Sequence, residues 1–195
     1  KNLKKIKPYE LEKFLVEGSF YGEHPSPKLD NKLFSFSTGS LGHGLGFGSG
    51  IGYGDKLKKT TNKTFILISD GELNCGTTWE AIMLAGKLKL DNICVFLDFN
   101  KFQATGKSEE ILNLRDLEKR FKSFGWHVTR GSGHKYNEMY KKISKLVSFK
   151  KKPQIYIADT VKGKGISFME GDNNWHYRSP NKDDLKKIKS ELNMI

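Results

Sequence analysis

In SDGELNCGTTWEA, residues 69–81, an acid and a glycine stand directly after an apolar run. Thirty residues beyond Asp70, Asn100 follows the end of a second apolar run, ICVFLDF. A carboxylate and an amide oxygen are hard donors. They suit magnesium or calcium, with water and phosphate oxygens completing the shell. Gly71 carries no Cβ and so permits close backbone approach to a diphosphate at the start of a helix. An Asp-Gly pair alone is a common turn. Its weight here comes from its company: a strand end before it, a helix of fitting length after it, and a second strand-end ligand. If the two strands are neighbours, Asp70 and Asn100 meet at one point above a sheet.

The elements around these residues follow from hydrophobic patterning. TFILIS (Thr64–Ser69), ICVFLDF (Ile93–Phe99) and QIYIADT (Gln154–Thr160) read as buried strands, and WHVTR (Trp126–Arg130) as a shorter one. Helical spacing predicts helices over Thr77–Leu90, Leu114–Phe124 and Tyr136–Phe149, with a polar helix over Asp183–Leu192. Trp79, Phe96 and Trp126 occupy core-like positions. Continuous apolar strands separated by helices mean an α/β fold, a parallel sheet with helices on both faces. In such sheets ligands sit beyond the carboxyl ends of the strands, where Asp70 and Asn100 lie. Ahead of this, a helix is expected over Pro8–Glu17, then a loop with Gly22, His24, Pro25 and Pro27. STGSLGHGLGFGSGIGYG, residues 37–54, has small residues every two to four positions. Leu41, Leu45, Phe47 and Ile51 argue against a linker, so it reads as a tightly packed helix entered through a glycine loop. No repeat or linker divides the chain, and residues 1–195 are expected to form one domain.

Composition narrows the class. The 36% hydrophobic and 29% charged content is that of an ordinary soluble protein, and no apolar run approaches a membrane span. The start, KNLKKIKPYE, has charge but no apolar core of a signal peptide, and without a methionine it is expected to be processed or trimmed. Two cysteines, Cys75 and Cys94, make no disulfide framework, so a reducing cytoplasm is expected. The net charge of +12 is spread along the chain without aromatic interleaving or zinc spacing. It reads as solvated lysine faces, able to steer phosphorylated substrates, rather than as a nucleic-acid surface.

The stretch SDGELNCGTTWEAIMLAGKLKLDNICVFLDFNKFQATG resembles the thiamine diphosphate motif of transketolases, which begins GDG and ends in Asn at about this distance. STGSLGHGLG (Ser37–Gly46) is similar to the family's STGSLGQGL. TVKGKGISFME (Thr160–Glu170) and WHYRSP (Trp175–Pro180) are similar to its KGKGVSFME and following Trp-His. The resemblance covers almost the whole chain, in the right order, and implies the diphosphate-binding domain of the thiamine diphosphate-binding fold.

The resemblance also implies roles. Asp70 and Asn100 bind Mg2+, or Ca2+, through side chains, and Phe102 binds it through its carbonyl. Gly71 contacts the diphosphate, while Gly39, Ser40 and Leu41 line the aminopyrimidine. Glu72 occurs in the family too; it is counted on the cofactor side, or as a surface or interface carboxylate. His176 lies over the diphosphate and the reacting carbon, as a catalytic and cofactor-binding residue. His24, in GEHPS, matches a GHP segment at the entrance of the half-site and is counted with the catalytic residues. The implied activity moves a two-carbon ketol unit from a ketose or ketose phosphate to an aldose.

The family's catalytic glutamate belongs to a pyrimidine-binding domain that this sequence does not show. The implied partner is therefore a separate pyrimidine-domain subunit, in an α2β2 heterotetramer, and the chain is expected to be inactive without it. A helical segment that precedes this region in the family is not matched here. Two positions depart from the pattern. Cys75 replaces a glutamate of GDGELQEG that in the family joins an acidic network between active sites; it reads as a small half-buried interface residue or, less readily, a thiolate at a helix N-terminus. His43 replaces a glutamine and is expected to hydrogen-bond at a subunit interface. His127 and His134 read as surface or strand-end residues. Two other readings stand beside the metabolic enzyme: a specialised transketolase-like subunit for unusual sugar or polysaccharide biosynthesis, and a non-catalytic basic binding module.

Overall fold

The strands expected from the apolar runs form, and their neighbours in space place Asp70 and Asn100 at one edge. In a computed structural model, residues 8–19, 21–27 and 35–193 are described. The strands are β1 (Thr64–Ser69), β2 (Ile93–Phe99), the two-residue β3 (Phe102–Gln103) and β4 (Gly106–Lys107), β5 (His127–Ser132) and β6 (Gln154–Asp159). Four of them make a wholly parallel sheet in the order β1-β2-β6-β5. The strands β3 and β4 pair separately as a small antiparallel hairpin. β1 and β2 are neighbours, with Ser69 opposite Asp98, so Asp70 and Asn100 emerge side by side at the carboxyl edge.

The helices are α1 (Pro8–Leu11), α2 (Gly44–Leu57), α3 (Gly76–Lys87), α4 (Ser108–Ile111), α5 (Leu117–Ser123), α6 (Tyr136–Ser148) and α7 (Lys182–Glu191). One face of the sheet packs Ile66, Ile68, Ile93, Val95, Leu97, Ile155 and Ile157 against Leu45 of α2, Ala81, Ile82 and Ala85 of α3, and Leu117 and Phe121 of α5. Trp126, 2% exposed, closes this core and donates its Nε1–H to the Ile82 carbonyl at 2.9 Å. The opposite face packs Cys94, Tyr156 and Ala158 against Leu146 of α6. Helices thus lie on both faces, but α6 covers only part of the second. On β1, Phe65 and Leu67 stay 58% and 75% exposed on that side.

The glycine-rich stretch is a helix, as its spacing predicts. A Cβ on Gly48 would sit 2.3 Å from Ile66 Cδ1, and one on Gly52 2.5 Å from Ile93 Cγ2. Only the missing side chains let α2 lie this close to β1 and β2.

Several boundaries differ from the pattern. The first helix ends at Leu11 rather than Glu17: the chain breaks into turns, Leu15 takes φ 59° and its N–H donates to the Tyr21 carbonyl. Gly71–Asn74 forms a 3-10 turn before α3 begins, so Gly71 opens that turn and not the α-helix itself. α3 stops at Lys87, and Lys89 turns the chain at φ 49° to bring Leu90 into the core. α5 begins at Leu117 rather than Leu114, and β5 runs on to Ser132. α7 starts at Lys182 through a capping box in which Asn181 and Asp184 satisfy each other's backbone N–H groups.

Candidate functional site

Asp70 ends β1 with its carboxylate buried, the residue being 4% exposed. Oδ1 accepts the Gly71 N–H at 2.9 Å and Oδ2 the Lys101 N–H at 2.7 Å. Asn100 Oδ1 accepts the Phe102 N–H at 2.8 Å. The loop that follows β2 directly thus holds an oxygen of each side chain, through its consecutive Lys101 and Phe102 N–H groups. Burial raises the Asp70 pKa; the Lys101 N–H, the Ser108 hydroxyl and the Gly71 N–H work against this, and the charge of Asp98 adds to it. A buried carboxylate with a second carboxylate close by is a site that a divalent cation would relieve. Each Asp70 oxygen accepts one N–H bond and keeps acceptor capacity to spare. Among the described residues no cluster of three or more His, Cys, Asp or Glu side chains forms. A cation at this edge would rest on carboxylate, amide and backbone oxygens, the set that Asp70, Asn100 and Phe102 provide.

At the carboxyl edge of the sheet Asp70, Phe99, Lys101 and Ser108 are among the walls of a cavity of about 290 Å³, and Leu67 lines two others. One, of about 360 Å³, is bounded by Ser37–Leu41, His43, Gly44, Phe47 and Glu72. This brings Gly39, Ser40 and Leu41 together with Glu72. The Glu72 side chain is not at the surface: the residue is 7% exposed, and its Oε1 is buried without a hydrogen-bond partner. Burial raises its pKa, opposed by the Gly42 N–H and by His43. A buried acceptor left open beside a loop with exposed Ser40 and Leu41 suits a polar heterocycle that brings its own donor.

The loop bounding this cavity is tied to the start of α3. Gly42 takes φ +88°, its carbonyl accepts from Thr77 Oγ1 at 2.9 Å, and a Cβ there would lie 2.9 Å from Cys75 Cβ. Cys75, half-buried, caps α3 with no side-chain hydrogen bond to its N–H groups. It packs against the glycine loop. His43 Nδ1 lies 3.1 Å from the Leu41 carbonyl, within the same loop. His24 also reaches this loop: a Cβ on Gly39 would meet its imidazole at 2.6 Å, and the Thr38 N–H donates to the Pro25 carbonyl.

The second cavity, of about 790 Å³, has Asp98, Asn100, His134, Thr160, Lys162 and Lys164 among its walls. His176 is not among the residues lining either of these two cavities. It sits in a 3-10 turn, Asn173–His176, with Nδ1 3.3 Å from Lys162 Nζ, and so stands beside the second cavity through that lysine. Asn173 ties the turn to the β3–β4 hairpin by donating to the Ala104 carbonyl at 3.1 Å. His127 is half-buried and stacked on Phe149 at 3.9 Å; burial lowers its pKa, with Lys152 and Lys122 adding to the effect. His134 is exposed just past the end of β5, as expected, and its Nε2 accepts the Val161 N–H at 2.7 Å, fixing the start of the TVKGKG loop.

The sequence reading missed Asp98, Thr160 and Lys162 as members of the site. Asp98 accepts from both Asn100 Nδ2 and Thr160 Oγ1. Lys162 supports His176. The signals that could have found the first two were an acid in the otherwise apolar ICVFLDF and a threonine just past a third strand end.

Comparison with known proteins identifies the family and the fold. Residues 7–195 match the family described as transketolase, thiamine diphosphate binding domain. The chain is 34% identical over 175 residues to one subunit of the apulose-4-phosphate transketolase of Phocaeicola vulgatus, covering 90% of this chain and 62% of the relative. It is 38% identical over 135 residues to the SqwG subunit of the 6-deoxy-6-sulfo-D-fructose transketolase of a Clostridium species, covering 69% of this chain and 49% of that one. The fold superposes on transketolase from Campylobacter jejuni with a TM-score of 0.88 at 28% identity, covering 95% of this chain and 30% of that protein. The chain thus spans between about half and three-fifths of the length of these two subunit relatives.

Proposed function

The chain belongs to the transketolase family, and from that premise we propose that it is the thiamine diphosphate- and Mg2+-binding subunit of a split transketolase, a transferase of two-carbon ketol units. The observation that carries this reading is that Asp70 and Asn100 follow neighbouring strand ends, with one oxygen of each held by the successive Lys101 and Phe102 N–H groups. The 195 residues form one cofactor-binding domain in this reading.

Each residue then has a task. Asp70, Asn100 and the Phe102 carbonyl hold Mg2+, and Gly71 keeps the edge clear of a side chain where the diphosphate lies. Gly39, Ser40 and Leu41 line the ring-binding cavity, and Glu72 accepts a hydrogen bond there with its open oxygen. His24 orders the mouth of that cavity from its place against Gly39. His176, beside Lys162, moves or holds a proton on a sugar hydroxyl. Thiamine diphosphate, when bound, supplies the carbanion chemistry that lets a bond next to a carbonyl break. The protein's own contribution is anchoring, orientation and exclusion of water.

A partner chain with the pyrimidine domain, in an α2β2 assembly, completes the active site. Supporting this, the apulose-4-phosphate relatives from Phocaeicola vulgatus and Actinobacillus succinogenes are each named as one subunit of a transketolase. Their names and that of the sulfofructose relative also favour an unusual anionic sugar as substrate over a central metabolic one. The net charge of +12 would draw such a substrate in. Placement in the cytoplasm belongs to the same reading and is supported by two free cysteines. No helix among the described residues is long and apolar enough to cross a membrane.

Calorimetry with Mg2+ and thiamine diphosphate, with and without the candidate partner chain, tests the proposal. Metal-dependent cofactor binding is the expected result, followed by ketol transfer in the assembled enzyme. No binding in the presence of the partner overturns it, and salt-sensitive binding of nucleic acid in its place would support a basic binding module.

A further inference from the structure

Asp98 is an acid in a strand whose other six residues are apolar. Its side chain lies on the face shared by Cys94 and Phe96, since alternate residues of a strand share a face. One carboxylate oxygen, Oδ2, accepts from Asn100 Nδ2 at 3.2 Å. The other, Oδ1, accepts the Thr160 hydroxyl, which comes from the end of β6, 62 residues away in the chain. Its backbone carbonyl accepts the Asp70 N–H at 3.3 Å. Asp98 is thus in contact with both strand-end ligands and with the first residue of the TVKGKG loop.

This contact set solves a problem specific to asparagine. The two ends of an amide have nearly the same shape but opposite hydrogen-bonding character, so sterics alone do not choose between them. A flipped Asn100 would present an NH2 group to a cation. In the observed arrangement an acceptor, Asp98 Oδ2, faces the nitrogen and a donor, the Phe102 N–H, faces the oxygen. The two contacts select the same orientation. A charged acceptor makes the stronger bond, and Thr160 in turn fixes the rotamer of that acceptor.

We propose that Asp98 is a positioning residue for the metal site, orienting the Asn100 amide so that its oxygen faces the cation and tying that orientation, through Thr160, to the loop that carries Lys162. The inference rests on the reading of Asn100 as a metal ligand. It assigns Asp98 no direct contact with the cation.

The test is an Mg2+ titration of the intact chain, with its partner chain, at fixed thiamine diphosphate, read by tryptophan fluorescence. Asp98→Leu removes both acceptors at similar size. It is expected to raise the Mg2+ concentration at half-saturation by about tenfold or more, while saturating Mg2+ restores the full signal. Asp98→Asn still offers one oxygen to Asn100 Nδ2 and is expected to recover most of the loss. Thr160→Val, which leaves the Asp98–Asn100 bond in place, is expected to shift the curve less than Asp98→Leu. If Asp98→Leu fails to fold, Asp98→Ser, too short to reach Asn100, takes its place.

A wild-type Mg2+ curve for the variant lacking the acceptor overturns the proposal. So does a loss that saturating Mg2+ cannot repair and that Asp98→Asn shares in full, since that marks a merely structural role. Asp70→Ala is the reference. If it loses binding while Asp98→Leu does not, the positioning role alone fails; if it also binds normally, the metal-site reading fails.

Discussion

The Lys101 N–H donates to Asp70 Oδ2 at 2.7 Å, joining the residue after β1 to the loop after β2. This single bond closes the edge of the site across 31 residues of sequence. It also leaves a carboxylate that burial and the Asp98 charge together push toward protonation.

That electrostatic setting gives the first prediction. A carboxyl whose folded pKa is raised contributes stability that is complete below its unfolded pKa and is lost as pH rises through the folded value. Above that window the ionised group opposes folding. Asp70→Asn sets an NH2 group against one of the two backbone N–H donors, so it carries a pH-independent cost; without metal the wild type is expected to gain stability relative to this variant as pH falls below 7. With Mg2+ and thiamine diphosphate the wild type alone should gain further, and Asp70→Ala should weaken that binding about 100-fold or more. Thermal melts across pH, with and without the ligands, read both effects.

Two glycine-to-alanine changes should act with opposite signs. In α3, a Cβ on Gly86 would sit 1.9 Å from the Phe124 carbonyl oxygen. Helix propensity favours Ala by about 1 kcal/mol, but overpacking costs about 1–3 kcal/mol. The clash is with backbone, which yields least, so Gly86→Ala should destabilise. In α2, Gly50 has no such neighbour within 4 Å, and Gly50→Ala should gain up to about 1 kcal/mol. Urea unfolding of each variant decides the signs.

The two thiols should differ sharply in reactivity. Cys94 is 1% exposed, and burial pushes its pKa up to about 11, with Lys63 pulling the other way. Only the thiolate reacts, and below that pH Cys94 holds its proton. Cys75 is half-buried at the start of α3. Iodoacetamide at about pH 8 should label Cys75 in the native chain and Cys94 only after unfolding, as read by peptide mass spectrometry. Early labelling of Cys94 would contradict the packing of β2 against α6.

His176 stands away from Asp70 and Asn100 in the hydrogen-bond pattern and leans on Lys162. His176→Asn should therefore keep Mg2+-dependent cofactor affinity near wild type. Turnover in the assembled enzyme should fall about 100-fold, the scale of a lost proton-transfer group. Calorimetry and steady-state kinetics on the same preparation separate the two. A matched loss of both would place His176 in cofactor binding instead.

The sequence by itself determined the strands TFILIS, ICVFLDF and QIYIAD, because each is a short continuous apolar run and that pattern is local, although β1 is buried on one face only. It also singled out Asp70 and Asn100, since the residue after a parallel strand is where a ligand site must fall. Strand order was beyond it: β6 lies between β2 and β5, although β5 precedes it in the chain. Glu72 read equally well as a surface carboxylate, and only the arrival of the Gly42–Gly44 loop buried it. The open face of Phe65 and Leu67 was likewise invisible, because an apolar residue looks the same in sequence whether or not a helix covers it. Asp98 shows the limit most clearly. Its partners are two residues and 62 residues away, and a side-chain hydrogen bond depends on where donors meet in space. Local pattern set which groups the site could use; the packing of distant strands decided which of them touch.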